Sequence, residues 1–312
     1  MPTLSAAGRC WPVPAGCNLL DALNDAGLRV PYSCRAGSCH ACLVRCTRGE
    51  PLDERPEALS EEQRTEGWRL ACQCRVVDDL DVELFDPVRD GLPARVASAD
   101  WLGTDVLRLR LLPERPLRYQ AGQHLLLWSD QGVARPYSLA SLPGEDAWLE
   151  FHIDCRHPGA FCDAARCLRA GDELRLGELH AGALHYDADW NGRPLWLLAA
   201  GTGLAPLWGL LREALRQHHQ GPIRIIHLAH DEAGHYLAEP LQALAAAHAQ
   251  VQLQLVAASE LAAVLAELRL VSRQTVALLC GSPASVEAFA RRLFLIGVPR
   301  SQVLADTFLP RR

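Results

Sequence analysis

The chain has 312 residues, a net charge of −6, and a composition that is 49% hydrophobic and 22% charged. These values are typical of a globular protein with two or three domains. All 31 basic residues are arginines, which excludes a lysine Schiff base and the lysine of a Walker-A phosphate loop. The chain also lacks the basic footprint of a nucleic-acid binder, so we expect no nucleic-acid partner.

The acidic excess and the cysteines are both concentrated near the N-terminus. Residues 1–88 carry 14 Asp or Glu against nine Arg, a net charge of −5, and eight of the 12 cysteines lie between Cys10 and Cys74. No secretory signal precedes them, so clustered cysteines indicate metal or redox chemistry in a cytoplasmic protein. An acidic module of this kind attracts a basic surface on a partner.

Segments rich in Pro, Gly and charge at 86–93 and 187–194 divide the chain into three predicted domains: 1–88, 92–190 and 193–312. In the first, we predict a small sheet with one helix. Asn18 or Asp21 would cap this helix, and strands would follow at 42–46, 68–76 and 80–85.

Short alternating strands in the second domain predict an antiparallel barrel or sandwich, with strands at 94–98, 106–112, 124–129 and 148–154. From Leu195 onward, apolar strands alternate with helical stretches, which predicts an α/β fold with a doubly wound parallel sheet. The uncharged run 194–211 contains three glycines and an internal proline, so it fits a buried strand, turn and helix. We expect no membrane span.

Cysteine spacing in the first domain matches a plant-type 2Fe-2S site. Cys34, Cys39 and Cys42 form C-x4-C-x2-C, and Cys72 follows after 29 residues. Small residues between the first two cysteines let backbone amides turn towards the sulfurs and stabilise the charge of a cluster.

The residues alone leave other interpretations of these cysteines open. The C-x2-C pair is also the spacing of a redox dithiol or of half a zinc site, although neither explains the small-residue loop. The fourth ligand is either Cys72 or Cys74, because residues two apart on a strand point to the same side. Further candidate thiols are Cys10, Cys17 and Cys46.

Residues 19–44 (LLDALNDAGLRVPYSCRAGSCHACLV), together with LACQ at 70–73, resemble plant-type ferredoxin domains. The resemblance implies a β-grasp fold and identifies Cys72 as the fourth cluster ligand. His40 stands where these domains usually have glycine. We therefore expect its side chain to lie close to the cluster, where it would alter the potential or the contact with a partner.

Arg135, Pro136, Tyr137 and Ser138 lie between two strands of the second domain. Arg can bind a phosphate in bidentate fashion and Tyr can cover a planar ring, whereas an Arg-Pro turn at an edge strand is the alternative. The motif resembles R-x-Y-S of the ferredoxin-NADP reductase superfamily, and residues 94–312 resemble its flavin and nucleotide domains. This implies that Arg135 binds the FAD phosphate, Tyr137 packs along the isoalloxazine and Ser138 lies near N5.

Residues 158–162 (PGAFC) precede a predicted helix, whose exposed amides suit a diphosphate. Superfamily members have Ser or Thr where Cys162 stands, and a thiol is a poorer hydrogen-bond donor, so we expect the amides to make this contact. The next family element, G-P-x-G, is degenerate here as GELHAG at 177–182. The FAD-binding residues predicted in this segment are Gly159, Ala160, Phe161 and Cys162.

A strand, a glycine turn and a helix are predicted over residues 197–206. Glycines let the backbone approach a pyrophosphate, although an ordinary β-α turn without a ligand is the alternative. The spacing G-x-G-x-x-P resembles that of the same superfamily. It implies nucleotide binding by Gly201, Thr202, Gly203 and Pro206.

Two later motifs also resemble this superfamily. CGSP at 280–283 resembles its C-G-x-P and implies that Cys280 and Gly281 lie beside the nicotinamide, whereas a buried strand-end cysteine is the alternative. DTF at 306–308 resembles its acidic-x-aromatic ending and implies that Phe308 shields the flavin. The catalytic residues implied by the resemblance are Ser138, Cys280 and Asp306.

The order ferredoxin, flavin domain, nucleotide domain resembles the reductases of bacterial oxygenase and deoxysugar dehydrase systems. It implies an enzyme that passes electrons from NAD(P)H to FAD, then to 2Fe-2S, and then to a separate protein acceptor such as an oxygenase or dehydrase. No Arg pair follows strand 223–228, which favours NADH over NADPH, and His230 and His235 are interpreted as surface or packing residues. We expect a monomer. The alternatives are a flavin or quinone reductase acting on a small molecule, and a non-enzymatic redox sensor.

Overall fold

The computed structural model describes residues 1–309, which form three successive units. The N-terminal unit contains a five-stranded sheet of order β2-β1-β8-β4-β6 and a three-stranded sheet of order β3-β7-β5. Its strands are β1 (Thr3–Ala6), β2 (Arg9–Pro12), β3 (Cys17–Asn18), β4 (Leu43–Arg48), β5 (Leu52–Asp53), β6 (Trp68–Leu70), β7 (Cys74–Val76) and β8 (Leu80–Leu84). Its helices are α1 (Leu19–Asp25), α2 (Glu61–Thr65) and α3 (Pro87–Asp90).

Helix α1 packs against the mixed sheet of the N-terminal unit, as the β-grasp prediction requires. Leu19, Leu20 and Leu23 lie on one face of the helix and are fully buried. The Asn18 side chain accepts a hydrogen bond from the Asp21 N–H, so the predicted N-cap is confirmed.

The predicted continuous strand at 68–76 is wrong. A 3₁₀ turn over Ala71–Gln73 separates β6 from β7, and these two strands belong to different sheets. Cys72 therefore lies in a turn and does not share a strand face with Cys74. The predicted linker at 86–93 is also more ordered than expected, because Asp86 caps α3 and the next strand begins at Leu92.

The second unit is a single antiparallel sheet of six strands that curls round on itself, and we call it the barrel unit. Its order is β12-β11-β14-β9-β10-β13. The Ala140 N–H, just past the end of edge strand β12, donates to the Glu150 carbonyl of the other edge strand, β13. The antiparallel prediction is confirmed. The elements are β9 (Leu92–Leu102), β10 (Val106–Pro113), β11 (His124–Trp128), β12 (Ala134–Ser138), β13 (Leu149–Asp154), α4 (Ala160–Arg166) and β14 (Glu173–His180).

The C-terminal unit is the predicted doubly wound α/β fold, with a parallel sheet of order β17-β16-β15-β18-β19. Strand order reverses between β15 and β18, and ligands of such sheets bind at the carboxyl ends of the strands at this point. Its strands are β15 (Leu195–Ala200), β16 (Ile223–Ala229), β17 (Val251–Ala257), β18 (Val276–Gly281) and β19 (Val303–Thr307). Its helices are α5 (Leu204–Arg216), α6 (Ala238–Ala247), α7 (Leu261–Glu267) and α8 (Pro283–Ile296).

Short 3₁₀ turns complete the described elements: Pro56–Ala58, Ala71–Gln73, Ala188–Trp190, Gly201–Gly203, Glu232–Gly234, Ala258–Glu260 and Arg300–Gln302. Among the helices of residues 1–309, none has the length and apolar character needed to cross a membrane.

The barrel unit and the C-terminal unit share one hydrophobic core. Ala121, Leu142 and Leu184 of the barrel unit are buried in the same cluster as the leucines of β15 and α5. An ion pair between Arg212 and Asp146, 2.6 Å apart, spans the same boundary. The relative position of these two units is therefore fixed by buried apolar surface.

The turn after β15 packs so closely on the end of β18 that it requires glycine. A Cβ atom at Gly203 would lie 2.3 Å from the carbonyl oxygen of Cys280. We expect Gly203→Ala to lower the free energy of unfolding by about 1–3 kcal/mol, because backbone would have to move apart.

The measurement is thermal unfolding of the parent protein and of two variants. Gly192→Ala is the matched control, because a Cβ atom there would meet nothing within 4 Å; its expected change is within about 0.5 kcal/mol. Equal unfolding midpoints for the two variants would contradict this account of the turn.

Candidate functional site

The loop from Cys34 to Cys42 carries three of the predicted cluster ligands. Arg35, Gly37 and His40 have left-handed φ angles of 51°, 77° and 53°. At Gly37 a Cβ atom would lie 3.3 Å from the side chain of Gln73. The loop therefore coils tightly over the turn that holds the fourth ligand.

Hydrogen bonds join the four cysteines in two pairs, Cys34 with Cys39 and Cys42 with Cys72. Within each pair the hydrogen bond lowers the pKa of one thiol, to about 4 for Cys34 and to about 7 for Cys72. It raises the pKa of the other thiol, Cys39 or Cys42. Thiolates are the form that binds metal.

Amide groups also point at these sulfurs. The Ala36 N–H donates to Cys34 Sγ at 3.3 Å, and Gln73 Nε2 donates to Cys72 Sγ at 3.2 Å. Within residues 1–309, no three Cys, His, Asp or Glu side chains form a group that could hold a single metal ion. Two thiol pairs surrounded by amide donors fit a 2Fe-2S cluster better than they fit one zinc ion.

The remaining cysteines of the N-terminal unit are poorer ligand candidates. Cys46 lies on β4 and Cys74 on β7, and neither belongs to the two hydrogen-bonded thiol pairs. Cys10 is exposed on β2. The structure therefore brings together Cys34, Cys39, Cys42 and Cys72 but does not add Cys74.

Strand β12 carries the predicted flavin motif into the barrel unit. Ser138 is buried, and the Tyr137 ring packs against Phe161 with centroids 5.1 Å apart. Gly159 caps α4 without a side-chain hydrogen bond, so the first amides of this helix are available to a phosphate. The two predicted flavin segments thus lie together, and their arrangement fits FAD.

Cys162 has a partner that the sequence did not indicate. A hydrogen bond from Cys155 lowers the pKa of the Cys162 thiol to about 7, and that of the buried Cys155 is raised. Cys162 Sγ also lies 3.2 Å from the carbonyl oxygen of Asp154. A thiol that ionises this easily is unusually reactive for a position next to a phosphate site.

The nucleotide motifs lie at the carboxyl ends of β15 and β18, where the strand order reverses. Gly201 has a φ of 54°, and its carbonyl oxygen lies 3.2 Å from His227 Nε2. Cys280 is fully buried beside Ala199 of β15, and burial raises the pKa of its thiol. The glycine turn and the CGSP motif are therefore in direct contact.

The DTF motif lies beside these residues, because β19 pairs with β18. Asp306 is opposite Cys280 in this pairing, and the Phe308 N–H donates to the Gly281 carbonyl at 2.8 Å. Burial raises the pKa of Asp306, while His124 lowers it. An ideal Cβ atom on Gly182 would lie 3.9 Å from Asp306 Oδ2 and 3.7 Å from His124 Nδ1, so the end of β19 meets the barrel unit here.

One cleft of about 1160 Å³ joins all of these motifs. It exceeds the range of about 300–1,000 Å³ that is usual for small-molecule sites, which suits two ligands. Predicted residues that line it are Cys34, Cys39, Arg135, Pro136, Tyr137, Ser138, Cys162, Gly201, Thr202, Asp306 and Phe308. Predicted residues that do not line it are Cys42, Cys72, Gly159, Ala160, Phe161, Gly203, Pro206, Cys280 and Gly281.

His40, His180 and His124 form a row of rings, of which the sequence indicated only His40. The rings of His40 and His180 have centroids 3.9 Å apart, and the ring of His124 is 5.6 Å from that of His180. Burial lowers the pKa of His40 to about 4 and that of His180 to about 2, so both rings are neutral. The only signal in the sequence was the departure of GELHAG from the family pattern.

A second polar network links the barrel unit to the C-terminal unit. His152 Nε2 lies 3.0 Å from Glu150 Oε1, and His152 Nδ1 lies 3.1 Å from the Tyr236 hydroxyl. Of the two histidines interpreted as surface or packing residues, His230 is exposed and His235 is buried against His227. No local motif connects these residues, because they meet only in the folded chain.

Comparison with known proteins gives two family matches. Residues 3–77 match the family described as a 2Fe-2S iron-sulfur cluster binding domain, and residues 197–291 match the oxidoreductase NAD-binding domain. Among solved structures, an Amycolatopsis cytochrome P450 reductase has a TM-score of 0.67 at 27% identity, covering 99% of each chain. A ferredoxin reductase in carbazole 1,9a-dioxygenase has a TM-score of 0.66 at 23% identity, covering 99% and 98%, and shows the same fold.

Curated relatives agree with this fold. The ferredoxin–NAD(P)⁺ reductase component of the naphthalene 1,2-dioxygenase system of Pseudomonas putida is 30% identical, over 97% of this chain and 96% of that protein. The reductase subunit of an aromatic O-demethylase from Amycolatopsis sp. is 35% identical over 72% and 71%. The chain belongs to the family of ferredoxin–NAD(P)⁺ reductase components, NAD(P)H-dependent flavoprotein oxidoreductases that carry a 2Fe-2S domain.

Proposed function

We propose that this protein takes electrons from NADH and delivers them singly to a separate protein acceptor, an oxygenase or a dehydrase. The observation that carries the proposal is the single cleft lined by Cys39 of the cluster loop, Ser138 of the flavin motif and Gly201 of the nucleotide turn. If the cluster, FAD and NADH all bind at this cleft, electrons pass between them over short distances. The proposal therefore requires no separate site for a small-molecule acceptor.

Cys34, Cys39, Cys42 and Cys72 would hold the 2Fe-2S cluster, with one thiol pair on each iron. The Ala36 N–H and Gln73 Nε2 donate to two of these sulfurs, which stabilises the negative charge of the bound cluster. The proposed domains are those of the sequence prediction, 1–88, 92–190 and 193–312.

Arg135 would bind the FAD phosphate, and Tyr137 would lie along the flavin with Phe161 fixing its ring. The amides of residues 159–162 would bind the diphosphate in place of a hydroxyl, because Cys162 is a weak donor. Bound FAD supplies the conversion between a two-electron hydride donor and a one-electron acceptor. Ser138 is buried and would present its hydroxyl to the flavin nitrogen that accepts the hydride.

The C-terminal residues would orient the nicotinamide and exclude water from it. Gly201, Thr202 and Gly203 would let the backbone approach the pyrophosphate, and Cys280 and Gly281 would lie beside the nicotinamide ring, behind the residues that line the cleft. Burial raises the pKa of Asp306, so its carboxyl group holds a proton more readily at the reaction site. Phe308, anchored by its N–H on Gly281, would cover the flavin.

The choice of NADH rests on charge. Asp231 follows β16, is exposed, and lies in a small pocket with Gly201 and Thr202. An acidic residue after this strand suits a free 2′-hydroxyl and repels a 2′-phosphate. The 12 cysteines form no disulfides with one another, as is usual in a reducing compartment such as the cytoplasm. We also propose that the protein is a monomer.

Substituting one cluster ligand distinguishes electron transfer through the cluster from direct reduction of a small molecule by the flavin. We expect Cys39→Ser to abolish NADH-driven reduction of cytochrome c or of the native acceptor, because serine replaces one of the four thiolates that hold the cluster and set its potential. Ferricyanide reduction, which needs only the flavin, should persist. The measurement is steady-state NADH oxidation with each acceptor, and Cys10→Ser is the control. Loss of both activities to the same degree would argue for a different electron path.

Removing the phosphate-binding guanidinium is expected to weaken FAD binding. A hydrogen bond to a charged group contributes about 1.5–3 kcal/mol. Arg135→Ala should therefore raise the FAD dissociation constant about 10- to 100-fold. This dissociation constant is measured from the quenching of flavin fluorescence when FAD is titrated with the apoprotein. Arg95→Ala, an exposed arginine of the same unit, is the matched control. Equal affinities of the two variants for FAD would show that Arg135 does not bind the FAD phosphate.

The thiol of Cys162 should report directly on FAD binding. Because its pKa is lowered to about 7, its alkylation by iodoacetamide in the apoprotein should reach half its maximal rate near pH 7 and increase above it. Bound FAD should protect the thiol. Mass spectrometry of the peptide measures both effects, and Cys162→Ser is the blank. A midpoint near the ordinary cysteine pKa of about 8.5, or no protection by FAD, would contradict this placement.

A further inference from the structure

The cluster loop packs directly against the barrel unit. Cys39 and Ala41 are buried in an apolar cluster with Leu126, Trp128 and Ala134 of β11 and β12. Phe85, at the end of the N-terminal unit, stacks on Trp128 with ring centroids 5.4 Å apart at 18°. The Cys34–Cys39 side of the ligand set therefore faces the flavin motif.

Beside this apolar patch, two histidine rings make the contact between the loop and the barrel unit. His40 lies between the ligands Cys39 and Cys42, and its ring centroid is 3.9 Å from that of His180, the last residue of β14. Apolar contact is not directional, whereas two rings at this separation permit few relative orientations. The ring contact therefore restricts the orientation of the loop on the barrel unit, together with the hydrogen bond between the Ser38 backbone and His124.

The strand pairing connects His180 rigidly to the flavin motif. His180 is opposite His124 in the pairing of β14 with β11, and His124 is opposite Ser138 in the pairing of β11 with β12. Two neighbouring strand pairings thus connect His180, which contacts the cluster loop, to Ser138, which would lie next to the flavin nitrogen. His124 also makes a hydrogen bond with the backbone of Ser38 in the cluster loop. The buried Nδ1 atom of His40 has no hydrogen-bond partner within residues 1–309, so packing against neighbours holds the His40 ring.

Building on the proposed function, we propose that His180 is a positioning residue for electron transfer: its ring, packed on His40, holds the cluster loop at the flavin site. In the transfer, one electron leaves the reduced flavin and one ferric ion of the cluster is reduced. Both imidazoles keep their protons and electrons. Without the His180 ring the loop keeps its four ligands but loses its fixed position on the barrel unit.

The test uses the full-length holoenzyme with His180→Ala, mixed rapidly with NADH. Bleaching of the flavin and bleaching of the cluster are followed separately. Reduction of the flavin by NADH should be unchanged, while electron transfer from flavin to cluster should slow about tenfold or more, because a displacement near 1 Å has effects of this size. His185→Ala is the matched control, since His185 is an exposed histidine five residues further on; it should keep both parent rates.

Two further measurements distinguish positioning from general damage. His180→Phe restores a ring and should restore transfer to the cluster, and the amides of residues 35–42 should exchange hydrogen faster in His180→Ala than in either ring-bearing protein. The electron paramagnetic resonance spectrum of the reduced cluster should stay the same throughout. If His180→Ala does not retain its cofactors, His40→Gly removes the opposite ring at a left-handed position that suits glycine, and should slow the same step.

Parent rates in His180→Ala, a Phe variant as slow as the Ala variant, or equal slowing of flavin and cluster reduction would each overturn the inference. These outcomes leave the proposed function intact. The proposed function fails separately, if NADH does not reduce the cluster of the parent protein.

Discussion

Electron transfer to the cluster depends on the packing of the cluster loop against the barrel unit. Cys39 and Ala41 bury apolar surface on β11 and β12, and the rings of His40 and His180 set the orientation of that contact. A one-electron carrier is useful only while it lies close to the group that reduces it. The loop meets this constraint because Cys39, which is itself a proposed cluster ligand, is buried in the interface.

The two interfaces within the chain are built differently. The barrel unit and the C-terminal unit share one continuous core, and the Glu150–His152–Tyr236 network adds buried polar contacts across it. The N-terminal unit is attached by a small apolar patch, one pair of rings and a few polar contacts, which include hydrogen bonds from Gln63 Nε2 to Glu178 and from the Ser33 hydroxyl to the Leu309 carbonyl. Hydride transfer tolerates little movement between its two sites, so the larger interface lies where the chemistry is more demanding in geometry.

Phosphate recognition in this chain proceeds without lysine. The proposed contacts combine one guanidinium, Arg135, with the amides at the start of α4 and of the glycine turn after β15. Backbone amides and a planar guanidinium bind phosphate oxygens directionally, whereas an ammonium group acts as a point charge. The absence of lysine is therefore compatible with two phosphate-bearing ligands in one cleft.

The sequence by itself determined the features that depend on neighbours in the chain. The cysteine spacing indicated a 2Fe-2S site, and the short alternating strands predicted an antiparallel barrel or sandwich. The alternating strands and helices predicted the doubly wound sheet, whereas the β-grasp fold was implied by the resemblance to plant-type ferredoxins. Tertiary structure alone decided what depends on distant residues: the turn that places Cys72 apart from Cys74, the pairing of Cys162 with Cys155, and the row of His40, His180 and His124. These side chains carry no shared local pattern, because sheet register and burial bring them together only after the chain has folded.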